Sequence, residues 1–265
     1  MKLLVVEGNP KEIRERRKAF GIDPYYKVFT EMLQFLLPQV VVDVAFPADE
    51  EDGLPNIIEI QDYNGVLITG SSLSVVDQIP EVTRQLAFID TVFESGTPIY
   101  GSCWGLQVAT VVTGGKVGKS TNGLELGISK PVELTEAGKQ SPFFKNRQAP
   151  FEALCIHYDE IIELPENATV LAKNVHSAVQ AMTIDFKNAS FFGVQYHPEF
   201  TPQIMAKINR FLSSKLIDEG YFTSEKESEK LSLKLEQAEN MPKDISNYAQ
   251  HTQEVKAWLL HLNKK

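Results

Sequence analysis

A cysteine with a glycine two positions away on each side is the strongest chemical signal in the sequence. It lies in the run Gly101-Ser102-Cys103-Trp104-Gly105, after the apolar segment Pro98 to Tyr100 and before a helical segment from Leu106 to Thr113. A sharp turn from a strand into a helix strains its central residue and brings residues two positions away into contact, so only very small side chains fit there. The sequence therefore predicts a nucleophile elbow with Cys103 at its tip, against the common alternative that a lone cysteine is a small buried hydrophobe.

A cysteine nucleophile needs a base, and the base needs a group that fixes its tautomer. His197 follows the apolar segment Phe191 to Gln195 and precedes Pro198 and Glu199. Proline keeps the preceding residue extended, and residues i and i+2 of an extended segment project to the same side. A His-Pro-Glu tripeptide alone is a weak signal. Combined with the elbow, it predicts a triad of Cys103, His197 and Glu199.

The remaining cysteine and histidines carry weaker signals. Cys155 lies in the apolar run Ala153 to Ile156 and is interpreted as structural. His176, His251 and His261 are interpreted as structural or solvated, while the role of His157 stays open. Two cysteines are too few for a disulfide scaffold, and no Cys/His spacing is typical of zinc, so we expect neither a disulfide nor a metal.

The elements that must position these residues alternate between short apolar runs and longer segments of helical period. The runs that predict strands are Leu3 to Val6, Val40 to Val44, Gly65 to Ile68 and Pro98 to Tyr100; those that predict helices are Tyr26 to Leu37 and Val82 to Phe93. This alternation predicts a three-layer, doubly wound, mostly parallel α/β sheet. Ligands then bind beyond the carboxyl ends of the strands.

The second half of the chain is less regular. The segment from Gly114 to about Phe151 predicts turns and antiparallel hairpins. Apolar strands are predicted again at Ala153 to Ile156, Thr169 to Ala172, Val179 to Ile184 and Phe191 to Gln195, followed by a helix from Ile204 to Leu216. We expect one domain over residues 1–222.

Residues 223–265 have a different composition and predict a docked helical C-terminal extension. Val255 to Leu262 places Trp258, Leu259 and Leu262 on one helical face, whereas Leu231, Leu233 and Leu235 give little helical periodicity. About forty residues bury too little surface to form a domain alone.

Composition and charge exclude several partners. The chain has 265 residues, 43% of them hydrophobic, and a net charge of −9. This charge disfavours nucleic acid and anionic membranes, which attract clustered Lys and Arg. The short basic cluster from Lys11 to Lys18 is interpreted as a solvated helix face. With no signal-peptide pattern and no apolar stretch of spanning length, we expect a cytoplasmic protein.

Several motifs in order resemble the class I (triad) glutamine amidotransferases, and especially stand-alone proteins similar to the glutaminase domain of GMP synthase. The resemblance runs from Met1 to about Tyr221. It rests on Leu67-Ile68-Thr69-Gly70-Ser71, Gly101-Ser102-Cys103-Trp104-Gly105-Leu106-Gln107, Gly114-Gly115-Lys116-Val117, His157-Tyr158-Asp159 and Gly193-Val194-Gln195-Tyr196-His197-Pro198-Glu199. It implies a flavodoxin-like fold.

The resemblance also implies a mechanism. Cys103 would attack the side-chain amide carbon of glutamine, His197 would protonate the departing ammonia, and water would hydrolyse the γ-glutamyl thioester. The backbone N–H groups of Ser71 and Trp104 would hold the oxyanion. Gly70, Gln107, His157 and Tyr158 would contact the substrate. No cofactor is implied.

Two departures from the family pattern matter. Gly70-Ser71-Ser72 lacks the proline that commonly follows at this position, which predicts a looser oxyanion loop. Residues 223–265 are too few to form a synthetase domain, so we expect that the chain does not act as GMP synthase alone.

Three hypotheses follow. The chain is a glutaminase that passes ammonia to a separate synthetase, with the extension as a docking element; or a stand-alone γ-glutamyl hydrolase or peptidase acting on glutathione-like or γ-glutamyl amine substrates; or a non-catalytic protein with a redox-sensing cysteine. The intact set of Cys103, His197 and Glu199 disfavours the third, and the residues on the substrate side favour the first.

Overall fold

The computed structural model of the protein describes residues 1–49, 54–237 and 241–263. Its strands are β1 (Lys2–Val6), β2 (Val41–Ala45), β3 (Gly65–Ile68), β4 (Ile99–Ser102), β5 (Lys116–Lys119), β6 (Glu125–Ile128), β7 (Glu133–Leu134), β8 (Leu154–His157), β9 (Asp159–Glu163), β10 (Ala168–Lys173), β11 (Ala181–Phe186) and β12 (Ala189–Val194). Its helices are α1 (Lys11–Ala19), α2 (Tyr25–Leu36), α3 (Ile57–Gln61), α4 (Pro80–Ser95), α5 (Trp104–Val112), α6 (Glu136–Gln140), α7 (Pro202–Asp218), α8 (Glu225–Glu236), α9 (Lys243–Ser246), α10 (Tyr248–His251) and α11 (Gln253–Leu262), with a 3-10 helix at Pro142–Phe144.

Eight strands form the central sheet in the order β2-β1-β3-β4-β12-β11-β10-β7. The first five are parallel to one another, and β11, β10 and β7 continue the sheet in antiparallel fashion. The doubly wound, mostly parallel sheet that the sequence predicts is therefore confirmed.

Both faces of the sheet are covered, which explains why its strands appear as continuous apolar runs. In β1, Leu4 and Val6 pack into the core under α3, α4 and α5, whereas Leu3 and Val5 pack into the core under α2 and α11. The layers are thus helix, sheet and helix. A third apolar cluster joins α2, α7 and α8 beside the two-stranded pair β6 and β8.

The prediction of hairpins between Gly114 and Phe151 is wrong. Strands β5, β6 and β7 do pair in antiparallel fashion, but with β9, β8 and β10, which follow in the sequence after Phe151. Strand β9 was not predicted, and the short helix α6 lies where only turns and strands were expected. Turn-rich composition locates the bends, but it carries no information about which distant strand completes each pair.

The basic cluster forms helix α1, and its interpretation as a solvated face is only partly right. Arg16 and Lys18 are exposed, but Arg17 is only 4% exposed and Arg14 binds the carboxylate of Asp49 at 2.7 Å. The ring of Tyr25 lies 4.3 Å from the Arg17 guanidinium. Packing against aromatic side chains therefore overrides the preference of arginine for solvent at position 17.

The C-terminal extension is helical, as predicted, and it packs on the rest of the chain. Helix α8 was missed because its buried face is Ser228, Ser232 and Leu235, whose helical spacing is carried mainly by serine. Asn209 of α7 donates to the hydroxyls of both serines. The division of the chain at residue 222 stays a prediction.

Helix α11 lies directly against the central sheet. Trp258 packs on Tyr100 of β4 with ring centroids 5.7 Å apart, and a Cβ at Gly65 would lie 2.7 Å from the Trp258 indole. Val255, Leu259 and Leu262 complete this face in the same apolar core. Among the described residues, no helix combines the length and apolarity needed to cross a membrane.

We predict that Trp258→Ala lowers the free energy of unfolding by about 3–5 kcal/mol, because it leaves a cavity beneath Tyr100. Leu260→Ala, on the same helix but 55% exposed, is the matched control and should change stability by less than about 0.5 kcal/mol. Urea denaturation measures both. Equal stabilities for the two variants would contradict the docking of α11.

Candidate active site

Three neighbouring strands bring the predicted site residues to one edge of the sheet. β3 leads into Gly70, β4 into Cys103 and β12 into His197, and β4 lies between the other two. The backbone N–H of Cys103 donates to the carbonyl of Val194 at 2.8 Å, so the turn after β4 is tied to the end of β12. This is the carboxyl edge at which open α/β sheets bind ligands.

The turn after β4 has the geometry of a nucleophile elbow. Cys103 has φ 49° and ψ −98°, a left-handed conformation that a side-chain-bearing residue rarely adopts. A Cβ at Gly101 would lie 2.6 Å from the carbonyl carbon of Gly105, and one at Gly105 would lie 2.7 Å from the carbonyl oxygen of Ile68. Glycine is thus required at both positions for β4 and α5 to meet at this angle.

Cys103 lies at a cavity of about 310 Å³ that His197 also lines. Cys103 is only 6% exposed, and its Sγ lies 3.7 Å from the carbonyl oxygen of Ile156. His197 Nδ1 lies 2.6 Å from Glu199 Oε1, while Nε2 has no hydrogen-bond partner within the described residues. Nε2 is therefore free to exchange a proton with a group in the cavity.

The imidazole of His197 is held in place by two neighbours. Its ring stacks on Phe200 with centroids 4.2 Å apart, and a Cβ at Gly70 would lie 2.9 Å from His197 Cε1. Ser102, next to Cys103, donates its hydroxyl to Glu199 Oε1 at 3.1 Å. Ser102 therefore links the elbow directly to the carboxylate that orients His197.

Electrostatics favours the protonated form of His197. Burial opposes the charge, but the Glu199 carboxylate and Cys103 together outweigh it and raise the pKa of His197 to about 10. An imidazolium whose Nε2 is unoccupied can donate a proton to a leaving group at neutral pH.

The loop from Gly70 to Ser72 is tied down without the proline whose absence predicted a looser loop. Ser71 donates its hydroxyl to the carbonyl of Gly8 at 2.8 Å, and Asn9 Oδ1 accepts from the backbone N–H of Ser72 at 2.9 Å. Arg17 donates to Ser72 Oγ at 2.8 Å. Hydrogen bonds to the residues that follow β1 and to α1 therefore hold this loop in place.

One predicted oxyanion donor, Ser71, lies within this loop, and the other, Trp104, is the first residue of α5. Within the described chain, the backbone N–H groups of Ser71 and Trp104 take part in no hydrogen bond, so both are free for a ligand. The indole of Trp104 is buried, and its Nε1 donates to Gln85 Oε1 at 2.9 Å.

The predicted substrate contacts divide into two groups. Gln107, His157 and Tyr158 line the cavity, whereas Gly70 packs beneath the ring of His197. Gln107 Nε2 donates to the carbonyl of Asp159 at 3.1 Å. His157 Nε2 lies 2.9 Å from Glu125 Oε2, and Tyr158 donates to Glu219. These side chains are already engaged, so they shape the cavity wall.

Sequence reasoning missed the part of the extension that touches the site. Tyr248 donates its hydroxyl to the carbonyl of Glu199 at 3.2 Å, and His251 Nε2 lies 3.1 Å from the carbonyl oxygen of His197. His251 is fully buried, and burial together with Arg147 lowers its pKa to about 4. Its interpretation as structural fits this contact, but no local motif signals it.

The geometry agrees with the comparisons to known proteins. Residues 25–214 match the sequence profile of the family described as glutamine amidotransferase class-I. A γ-glutamyl-L-1-hydroxyisopropylamide hydrolase from Pseudomonas sp is 34% identical over 84% of this chain and 75% of its own length. A GMP synthase (glutamine-hydrolyzing) from Aliivibrio fischeri is 31% identical over 63% of this chain but only 31% of its own length.

A solved structure supports the fold. The crystal structure of a glutamine amidotransferase from Thermotoga maritima has a TM-score of 0.68 and 19% identity, covering 97% of this chain and 98% of that one. The profile match over residues 25–214 and the 34% identity to the Pseudomonas enzyme show that the chain belongs to the class-I glutamine amidotransferase family.

We predict opposite protonation states for two buried histidines at neutral pH. His197 should titrate near pH 10 because Glu199 stabilises its charge, and His251 near pH 4 because burial disfavours the charge. NMR of labelled imidazoles measures both midpoints. In Glu199→Gln the midpoint of His197 should move to lower pH while that of His251 stays; an unchanged His197 midpoint would contradict the pairing.

Proposed function

We propose that the protein hydrolyses the γ-glutamyl amide bond of small γ-glutamyl compounds through a glutamyl thioester on Cys103. The observation that carries this proposal is the arrangement of Cys103 and His197 at one cavity, with Nδ1 of His197 on Glu199 and Nε2 unoccupied. Membership in the class-I glutamine amidotransferase family also supports the proposal.

The first half-reaction forms the thioester. The Cys103 thiolate attacks the γ-carbonyl carbon, and the negative charge that develops on the carbonyl oxygen is accepted by the backbone N–H groups of Ser71 and Trp104. His197 Nε2 then donates its proton to the nitrogen of the departing amine, and the C–N bond breaks. Glu199 holds the ring in the tautomer that this transfer needs.

The second half-reaction releases glutamate. After the amine leaves, His197 is neutral at Nε2 and can take a proton from a water molecule that attacks the thioester carbon. The same two N–H groups accept the second oxyanion. The S–C bond then breaks and frees the Cys103 thiolate. His197 keeps the proton that it took from water and is charged again, and the new γ-carboxylic acid of glutamate loses its proton to solvent. Neither half-reaction requires a metal or a nucleotide.

The relatives favour action on γ-glutamyl amines by the chain alone. The Pseudomonas relative, named for hydrolysis of a γ-glutamyl amide of an amino alcohol, is matched over most of both chains. By contrast, the match to GMP synthase covers about a third of that protein. We therefore propose secondary γ-glutamyl amides as the preferred substrates. Glutamine, which would release ammonia, is the second candidate.

The likeness to GMP synthase supports one alternative. In it, the chain hydrolyses glutamine and passes ammonia to a separate synthetase subunit, with residues 223–265 as the docking element. A glutamine hydrolase that depends on a partner should show little turnover alone. The assay below therefore separates the two functions.

We predict that the purified chain releases amine from γ-glutamyl amides, and that Cys103→Ala lowers kcat by more than about 10⁴-fold. Cys155→Ala, the matched control for the other cysteine, should retain activity because Cys155 is buried in β8. His197→Ala should lose about 10- to 100-fold more activity than Glu199→Ala. Amine and glutamate release on γ-glutamylethylamide, glutathione and glutamine measures this; retained turnover in Cys103→Ala would contradict the mechanism.

A further inference from the structure

The cavity of the candidate active site contains a buried cation that has no carboxylate partner among the described residues. Arg17 lines the same cavity as Cys103 and is only 4% exposed. One nitrogen, Nη2, donates to Ser72 Oγ at 2.8 Å. The other two, Nε and Nη1, are buried and have no hydrogen-bond partner among the residues that the structure describes. A guanidinium stays charged in proteins, so these donors cannot be neutralised by loss of a proton.

The other charged residues of the cavity wall do not satisfy Arg17. Asp77, Asp159 and Glu219 line the cavity, yet none lies within ion-pair distance of the guanidinium. Asp159 accepts from Ser74, and Glu219 accepts from Tyr158 and lies 3.7 Å from Lys215 Nζ. The carboxylates of the wall thus leave the guanidinium's charge unpaired.

Burying an unpaired charge costs several kcal/mol, and a cation–π contact with one aromatic ring offsets only part of that desolvation penalty. The ring of Tyr25 supplies this stacking at 4.3 Å. Native structures rarely leave buried donors unpaired, and those that remain are commonly found at functional sites. The planar fork of an arginine matches a carboxylate through two parallel hydrogen bonds.

We propose that Arg17 binds a carboxylate of the substrate and thereby restricts the site to γ-glutamyl compounds that carry it. This inference deepens the proposed function and rests on it for the kinetic part of the test. Two carboxylates have this chemistry: the α-carboxylate of the γ-glutamyl group, present in every such substrate, and a carboxylate on the amine that leaves, present in γ-glutamyl peptides.

The kinetic test compares the wild type with Arg17→Met on four compounds. Glutamine and γ-glutamylethylamide carry only the α-carboxylate, γ-glutamylglycine carries both, and 4-aminobutanamide carries neither. We expect kcat/KM to fall about 10- to 100-fold wherever the bound carboxylate is present, mainly through KM, and to stay unchanged for 4-aminobutanamide. A loss shared by the first three identifies the α-carboxylate; a loss confined to γ-glutamylglycine identifies the leaving side.

Matched variants separate binding from a role in holding the loop. Arg16→Met removes a charge from the exposed side of the same helix and should leave all four values unchanged. Arg17→Lys keeps the charge without the fork and should give an intermediate loss. Ser72→Ala removes the hydrogen bond to the loop but keeps the guanidinium. If Ser72→Ala reproduces the loss of Arg17→Met on every compound, Arg17 acts through the loop and the proposal fails.

A second measurement needs no turnover. γ-Glutamylglycine should protect Cys103 of the wild type from alkylation by iodoacetamide, and Arg17→Met should need about 10- to 100-fold more of it for equal protection. If no compound is hydrolysed but this difference is found, the proposed function fails and the role of Arg17 stands. Equal protection of the wild type and Arg17→Met, or no protection of the wild type, overturns the role of Arg17 whatever the turnover.

Discussion

The close approach of Gly101 to Gly105 is the constraint on which the site depends. The space between them has no room for a Cβ, and glycine has none. Strand β4 can therefore turn into α5 through a single strained residue, Cys103. The same turn places the positive end of α5 at the thiol. The N–H of Trp104 beside it has no hydrogen-bond partner within the described part of the chain. Strands β3 and β12 flank β4, so the loop from Gly70 to Ser72 and His197 follow the strands on either side of the Cys103 turn, at one edge of the sheet.

The second requirement is a charged histidine in a buried place. Glu199 stabilises that charge at 2.6 Å, and Ser102 fixes the carboxylate from the elbow. The C-terminal extension contacts the backbone of the same two residues. The Tyr248 hydroxyl donates to the carbonyl of Glu199, and His251 Nε2 lies within hydrogen-bond distance of the carbonyl oxygen of His197. The extension therefore contacts the backbone of His197 and Glu199 through two hydrogen bonds, and its helix α11 packs on the central sheet through its apolar face.

Sequence reasoning reached the features whose cause is local. Glycines at fixed offsets reveal the elbow, and apolar runs reveal β3, which was predicted with the bounds that the structure has. It failed where the cause is tertiary. The buried face of α8 consists mainly of serine, and strands β5 to β7 pair with strands that follow Phe151. The contacts of Asn9, Arg17 and His251 join residues that are far apart in the chain. His157, whose role stayed open, is bound to Glu125 from a strand that hydrophobic periodicity did not locate.

The most direct test of the account is the detection of the acyl-enzyme. The wild-type chain is mixed with γ-glutamylethylamide, quenched in acid at early times and digested with a protease. Mass spectrometry then measures the mass of the peptide that contains Cys103. The account predicts a glutamyl group on Cys103 that forms before glutamate accumulates and persists longer when Glu199 is replaced by glutamine. Glutamate release with no adduct on Cys103, or an adduct on Cys155 instead, would contradict the assignment of the nucleophile.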